Sequence, residues 1–356
     1  MKTGIANLPL HYGKTPPWLF QQMVRLAREI MIFMVSEFGV DDFLRRLSHP
    51  FWFQSLACVL GFDWHSSGTT TTTCGALKEA VKGLEKDLDL FICGGKGAAS
   101  RRTPEEISKK APHDKQSSLI YASKMSAKVD NNALQDGYQL YQHNFFFTSK
   151  GKWVVIQQGM NLSGRMARRY HWLSDKVASF VEEPQSAICG EKKLKPLNLV
   201  AKKSKQTREI ITSLAKDKPE NNLKKLKKIV YSLNLPKRHQ ILVSDLKREY
   251  LSRIFLTTYI KQPSNFEEVL MIEGLGSKTL RALTLIAELI YGAKPSYEDP
   301  VRYAFTHGGK DGIPYPLDLQ TYQTSINLLT QAVRKIKFSP CQKDKILKRL
   351  SAFNYR

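Results

Sequence analysis

The sequence predicts an α+β (or α/β) N-terminal domain over residues 1–185, a basic helical linker over 186–250 and a mainly α-helical C-terminal domain over 251–356. Three observations lead there. Apolar residues recur at helical spacing in "WLFQQMVRLAREIMIFMVSEFGVDDFLRRL" (18–47). Aromatic and β-branched residues flank a five-residue turn in "DGYQLYQHNFFFTSKGKWVVIQQGMN" (136–161). Lysines interleave with leucines and isoleucines from 191 to 250.

In chain order, 18–47 reads as a long amphipathic helix and a shorter one that ends near Ser48-His49-Pro50. Residues 51–95 combine an aromatic-rich stretch, the polar "HSSGTTTTTCG" and a helix around Ala76–Asp87. The β-branched run Thr69–Thr73 favours extended structure or a helix start over a helix interior. "LDLFICGGKG" is a short buried strand running into a glycine turn. In "GGKGAASRRTPEEI", Gly94, Gly95 and Gly97 around Lys96, followed by Arg101 and Arg102, could cradle a phosphate, yet the G-K-[ST] ending of a P-loop is missing; Ser100 or Thr103 fits better as a helix cap before Pro104. The hairpin follows at 136–161, then "RMARRYHWLS" as a helix or basic loop. Residues 245–292 are helical again, and a last basic helix lies near the C-terminus.

Charge narrows the partner. With 55 Lys and Arg against 32 Asp and Glu, the formal charge is +23, and a polyanion such as nucleic acid is the expected partner. A thermophile surface, the alternative, is rich in both signs. Residues 191–250 alone hold 17 Lys and Arg against 6 Asp and Glu, on helices with one packed face. Five scattered cysteines without C-x-x-C argue against a disulfide framework or zinc ribbon and point to a reduced, cytoplasmic setting. The N-terminus lacks an apolar signal region, and no run of about 20 apolar residues predicts a membrane span.

The most specific motif is "EGLGSKT" (273–279). Phe266, Val269, Leu270 and Ile272 give one helix an apolar face, Gly274-Leu275-Gly276 a tight turn, and Thr279, Leu280, Leu283 and Ile286 a second helix. This resembles the helix-hairpin-helix of DNA-repair enzymes and nucleases. Gly274 and Gly276 would let backbone amides approach a phosphate, and Ser277, Lys278 and Thr279 would complete the grip. In the helix-hairpin-helix glycosylases a lysine after the G-x-G attacks the sugar and an aspartate about 20 residues later assists. Lys278 and Asp299 stand near those places, although "YEDPVRY" departs from the usual approach to that aspartate. Lys278 would serve equally as a phosphate ligand, and Asp299 as a cap before Pro300. A second glycine–lysine loop, "HGGKDGIPYP" with Lys310, could help hold a backbone or be a plain surface turn.

The N-terminal domain holds polar groups in apolar company, where they are costly unless paired or functional. Asp63, Asp130, Asp136 and Gln157 could supply oxygens to Mg²⁺ or Mn²⁺, with Asp63, Asp130 and Asp136 as the metal carboxylates. Lys128, His65 or His143 could supply a base. Strand periodicity would put Asp136 and His143 on opposite faces of a regular strand. Arg168 and Arg169 in "ARRYHW" are candidate DNA contacts. No Walker A, H-E-x-x-H or kinase set is present, and no nucleotide or redox cofactor is expected.

Together "LPLHYGKTPPWLF", "FWFQSLACVLGFDWHSSGTTTTTCGALKE", "YASKMSAKVD", "VIQQGMN" and "HGGKDGIPYP" resemble an uncharacterised domain-of-unknown-function family of archaea and some bacteria, family 763, over nearly the whole length. The resemblance implies a distinctive N-terminal domain beside a helix-hairpin-helix and carries no reaction. The expectation is a DNA-processing enzyme, first a metal-dependent nuclease. Its alternatives are a helix-hairpin-helix DNA glycosylase or lyase using Lys278 and Asp299, or a DNA-binding protein without catalysis.

Overall fold

The computed structural model describes residues 8–10, 13, 15–61, 66–190, 193–229, 248–301 and 319–335, with single positions at 340, 344 and 347. Helices α1 (Pro17–Phe38) and α2 (Val40–Leu47) flank Gly39, whose φ of +79° breaks the helical run. Then come α3 (Pro50–Leu60) and α4 (Ser67–Ala80). The threonine run forms the first turns of α4, and Thr69 Oγ1 accepts the Ser66 N–H at 3.2 Å. A helix start is therefore the outcome of the β-branched run, and the helix ends at Ala80, short of the expected Asp87.

Strand β1 (Phe91–Lys96) leads into α5 (Ala98–Arg101), α6 (Thr103–Lys110) and α7 (His113–Lys128). A π-helical turn at Val129–Ala133 extends α7 into β2 (Leu134–Gln135). The predicted hairpin is β3 (Gln139–Phe147) and β4 (Trp153–Asn161), followed by β5 (Met166–Leu173) and β6 (Ala187–Cys189). These form an antiparallel sheet in the order β1-β3-β4-β5-β6. Gly94 is fixed by its neighbours: φ is +88°, and a Cβ there would sit 2.1 Å from the His143 carbonyl oxygen.

β5 corrects the expectation of a helix or basic loop for "RMARRYHWLS". Helices cover the sheet on both sides, so β5 is buried on both sides and lacks polar–apolar alternation. One face, with Ile92, Phe146, Val154, Ile156 and Leu173, packs on α1–α4 and on α13 (Leu319–Lys335). The other, with Phe145, Val155 and Trp172, packs on α6 and α7. The same layer holds α8 (Lys205–Ala215), α9 (Pro219–Lys227), α10 (Arg248–Lys261), α11 (Phe266–Met271) and α12 (Ser277–Tyr291).

The core does not stop at the expected boundary after residue 185. β6 is the fifth strand of the sheet, β7 (Leu197–Asn198) pairs with β2, and α13 returns to the α1 side. The molecule is thus mixed helix and sheet, with the sheet in the N-terminal half and a helical C-terminal region packed against it. Among the described residues no helix is long and apolar enough to cross a membrane.

Candidate functional site

The α11–α12 turn is built to hold its backbone in one arrangement. Asn265 caps α11 by accepting the Glu268 N–H at 2.9 Å. Leu275, 2% exposed, anchors the turn in the core beneath Gly274, whose φ is +77°. Three side chains bind its carbonyl oxygens: Lys128 Nζ that of Ile272 (3.3 Å), Tyr250 Oη that of Gly274 (2.9 Å) and Gln135 Nε2 that of Ser277 (2.8 Å). Gly276 is the N-cap of α12 and brings no side-chain cap. The positive end of α12 thus carries no side-chain cap.

Lys278 is exposed at this start, whereas Thr279 is fully buried. Thr279 is therefore a core residue and not a backbone contact, contrary to expectation. A Cβ at Gly274 would lie 2.9 Å from Ile254 Cδ1 on top of its positive φ. Gly274→Ala is expected to cost about 1–2 kcal/mol, measured by urea unfolding; an unchanged midpoint would show that the turn does not need glycine there.

Beside the turn, on the α7 side of the sheet, lies a buried polar chain. His143 Nδ1 meets Gln157 Oε1 at 2.7 Å, and Nε2 meets Ser123 Oγ at 2.9 Å. Gln157 Nε2 donates to the Ser126 carbonyl (3.0 Å) and to Asp130. Gln157 Oε1 is hence an acceptor, which places the proton of neutral His143 on Nδ1 and makes Nε2 the acceptor of the Ser123 hydroxyl. Burial pushes His143 down to about 4, against the support of Gln157. Asp130 also receives Trp172 Nε1 at 2.8 Å and Gln185 Nε2 at 2.6 Å. Burial nevertheless raises its carboxyl to about 7, since those donors are neutral. Asp130 lies in the π-helical turn directly after Lys128. Burial lowers the lysine's pKa, with Glu273 opposing.

A second cluster ties the sheet to the C-terminal layer. Arg168 holds Asp299 with two bonds (3.1 and 2.9 Å) and Asp136 with one of 3.0 Å. Tyr170 Oη adds 2.7 Å to Asp136, and the guanidinium stacks on Tyr138 at 4.8 Å. The remaining lone pairs are used as well: the Leu194 N–H reaches Asp299 at 2.7 Å and the Tyr138 N–H reaches Asp136 at 3.0 Å. Asp136 precedes β3, which carries an irregularity between Leu140 and Gln142. It therefore bonds Tyr170, on the face that His143 also occupies, although the two are not partners.

On the opposite face Arg169 lies over Phe53 at 4.5 Å and donates to His171 Nε2 at 2.9 Å and Thr70 Oγ1 at 3.3 Å. Burial brings Arg169 down to about 10. Thr70 in turn donates to Gln158 Oε1 at 2.6 Å.

These positions revise several expectations. Arg168 and Arg169 are wholly buried and serve the core, so neither faces a nucleic acid; Lys96, Arg101 and Arg102 are exposed. Asp299 is buried and bound by Arg168 while Lys278 is at an exposed position, which removes the aspartate from the expected Lys278–Asp299 pair. Asp130 and Asp136 do not fit a Mg²⁺ or Mn²⁺ site in this arrangement, because N–H and O–H donors occupy their oxygens and a guanidinium abuts Asp136. Among the described residues no three His, Cys, Asp or Glu side chains group as metal ligands. Asp63, His65 and Lys310 lie outside the described residues. Sequence reasoning missed Ser123, Gln135, Tyr170 and Tyr250, whose roles rest on tertiary contacts that local pattern does not encode.

The model of a family described as "Protein of unknown function (DUF763)" matches residues 4–317, and the chain belongs to that family. No curated protein and no solved structure matches it.

Proposed function

We propose that this family member is a DNA-binding protein that grips the duplex backbone through α11–α12 as a helix-hairpin-helix. One observation carries the reading. The carbonyls of the Ile272–Ser277 turn are bound from below by Lys128, Tyr250 and Gln135, while the start of α12 carries no side-chain cap and Lys278 is exposed beside it. The charge of +23 supplies the long-range attraction. Such contacts position without reading bases.

The test is fluorescence anisotropy with mixed-sequence duplexes over a salt series. Wild-type affinity should fall steeply with salt. Lys278→Glu should weaken binding by about tenfold or more on every sequence and lower the salt slope by about one. A flat salt response, or a Lys278→Glu variant that binds like wild type, rejects the reading.

A second reading, a DNA-processing enzyme, is favoured by Lys128. Its half-buried amine touches the turn itself, and burial favours its neutral, nucleophilic or basic form. Cleavage of single-stranded, duplex, branched and damaged DNA, with and without Mg²⁺ or Mn²⁺, tests it. Lys128→Ala should abolish cleavage and retain binding; cleavage at the wild-type rate removes Lys128 from the chemistry.

A further inference from the structure

Away from the α11–α12 turn, a cleft of about 500 Å³ opens between α2, the start of α3, the turn after β5 and α13. Its charged lining consists of Arg45, Arg46 and Lys176 against the single acid Asp42, which binds both arginines. α3, eleven residues long, starts in this cleft at His49 and Pro50, and no side chain caps its first amides. The positive end of the helix therefore adds to the cations.

An independent observation points to a ligand. Trp52 lines the same cleft and is 4% exposed, and its Nε1–H has no hydrogen-bond partner; Ser186 Oγ, also in the lining, is buried without one. A buried donor left unmatched is costly. Guanidinium, ammonium and helix amides are donors that accept nothing, and Ser48, Gln320 and Thr324 in the lining can donate as well, while the unmatched Trp52 Nε1–H lies buried in the wall. Such a set matches a ligand rich in acceptor oxygens. The arginine forks suit a phosphate, and the volume lies in the range of small-molecule sites, about 300–1,000 Å³.

We propose that this cleft binds a phosphate-bearing small molecule of about mononucleotide size. The cleft belongs to α2, α3 and α13, so the proposal does not depend on the reading of the α11–α12 turn.

Calorimetric titration of the full chain at low ionic strength tests it, with adenosine monophosphate, inorganic phosphate and a short DNA duplex as probes. The mononucleotide should bind, and inorganic phosphate should bind more weakly. Lys176→Glu and Trp52→Phe should each weaken the mononucleotide by about tenfold, while Lys278→Glu should leave it unchanged. Trp52 also packs edge-on against Phe43. If Trp52→Phe does not fold, Ser186→Ala supplies the same readout at the buried end of the cleft. Absence of binding by both small probes overturns the proposal, as does mononucleotide binding that survives all the cleft substitutions. Loss of duplex binding alone in the cleft variants would overturn it too, since the cleft would then serve nucleic-acid phosphates.

Discussion

Replacing Arg168 with methionine is expected to cost about 3–5 kcal/mol of folding stability, the usual loss when one member of a buried ion pair is removed. The size follows from what remains. Asp136 and Asp299 have side chains 0% and 1% exposed, and Arg168 is the cation that joins them. Burial already raises the Asp136 carboxyl despite Arg168 and Tyr170. Without the guanidinium, two buried carboxyl groups are left with no cation between them, and Asp136 must take up a proton or drag water into the core.

The pH dependence gives a second check on the same variant. With Arg168 gone, the folded-state pKa of the Asp136 carboxyl rises further above its unfolded value. The native state then binds more protons than the unfolded one across that window, so the deficit grows as pH rises. It should be small below the ordinary carboxylate range and reach its full size near neutrality. Urea unfolding from pH 4 to 8 measures both quantities; a loss under about 1 kcal/mol at pH 7 would mean that the cluster is not a structural ion pair. Arg168 also links β5 to the segment after α12, so the two helical layers and the sheet should unfold in one transition, with no earlier loss of the C-terminal helices.

How much of this is legible in the sequence depends on whether the determining contacts are local. The β3–β4 hairpin is readable because "TSKGK" is a turn by its own chemistry and its flanks are β-formers on both sides. The α11–α12 turn is readable because Gly274 needs a positive φ and the helices on each side carry their own apolar periodicity. β5 fails for the opposite reason. Arg168, Arg169 and His171 look solvent-facing in a sequence, but each is held in the core by residues 2 to 131 positions away. The core likewise continues past the expected domain boundary: Lys205, Lys224 and Lys227 lie on exposed positions of α8 and α9, whereas the inner faces of these helices join the core. The polar density of the N-terminal domain is plain in the sequence, and the structure changes its meaning. It reflects hydrogen-bond networks between layers, with the carboxylates already occupied.

Asp130→Asn should reshape the pH dependence of stability by on the order of 4 kcal/mol. In the folded chain burial sets the Asp130 carboxyl at about 7, against an ordinary value of 3.8. Between those limits the native state holds a proton that the unfolded chain releases, so this residue makes stability fall as pH rises, by about 1.36 kcal/mol for each pH unit. His143 works in the other direction. Its folded value of about 4 lies below the ordinary 6.5, so the unfolded state binds the extra proton and stability rises with pH across that interval. His171, also driven down by burial and by Arg169, adds to the rise. In the wild type these slopes oppose each other up to about pH 6.5, where the histidine contribution ends and Asp130 still pulls stability down. An asparagine cannot ionise but still offers an oxygen to Trp172 and Gln157. The variant should therefore gain on the wild type steadily from pH 4 to about pH 7, while the contributions of His143 and His171 cancel in the difference. Parallel urea titrations read that difference directly. A gap that stays constant with pH would show that Asp130 is ionised in the native core throughout, which would require a cation beside it.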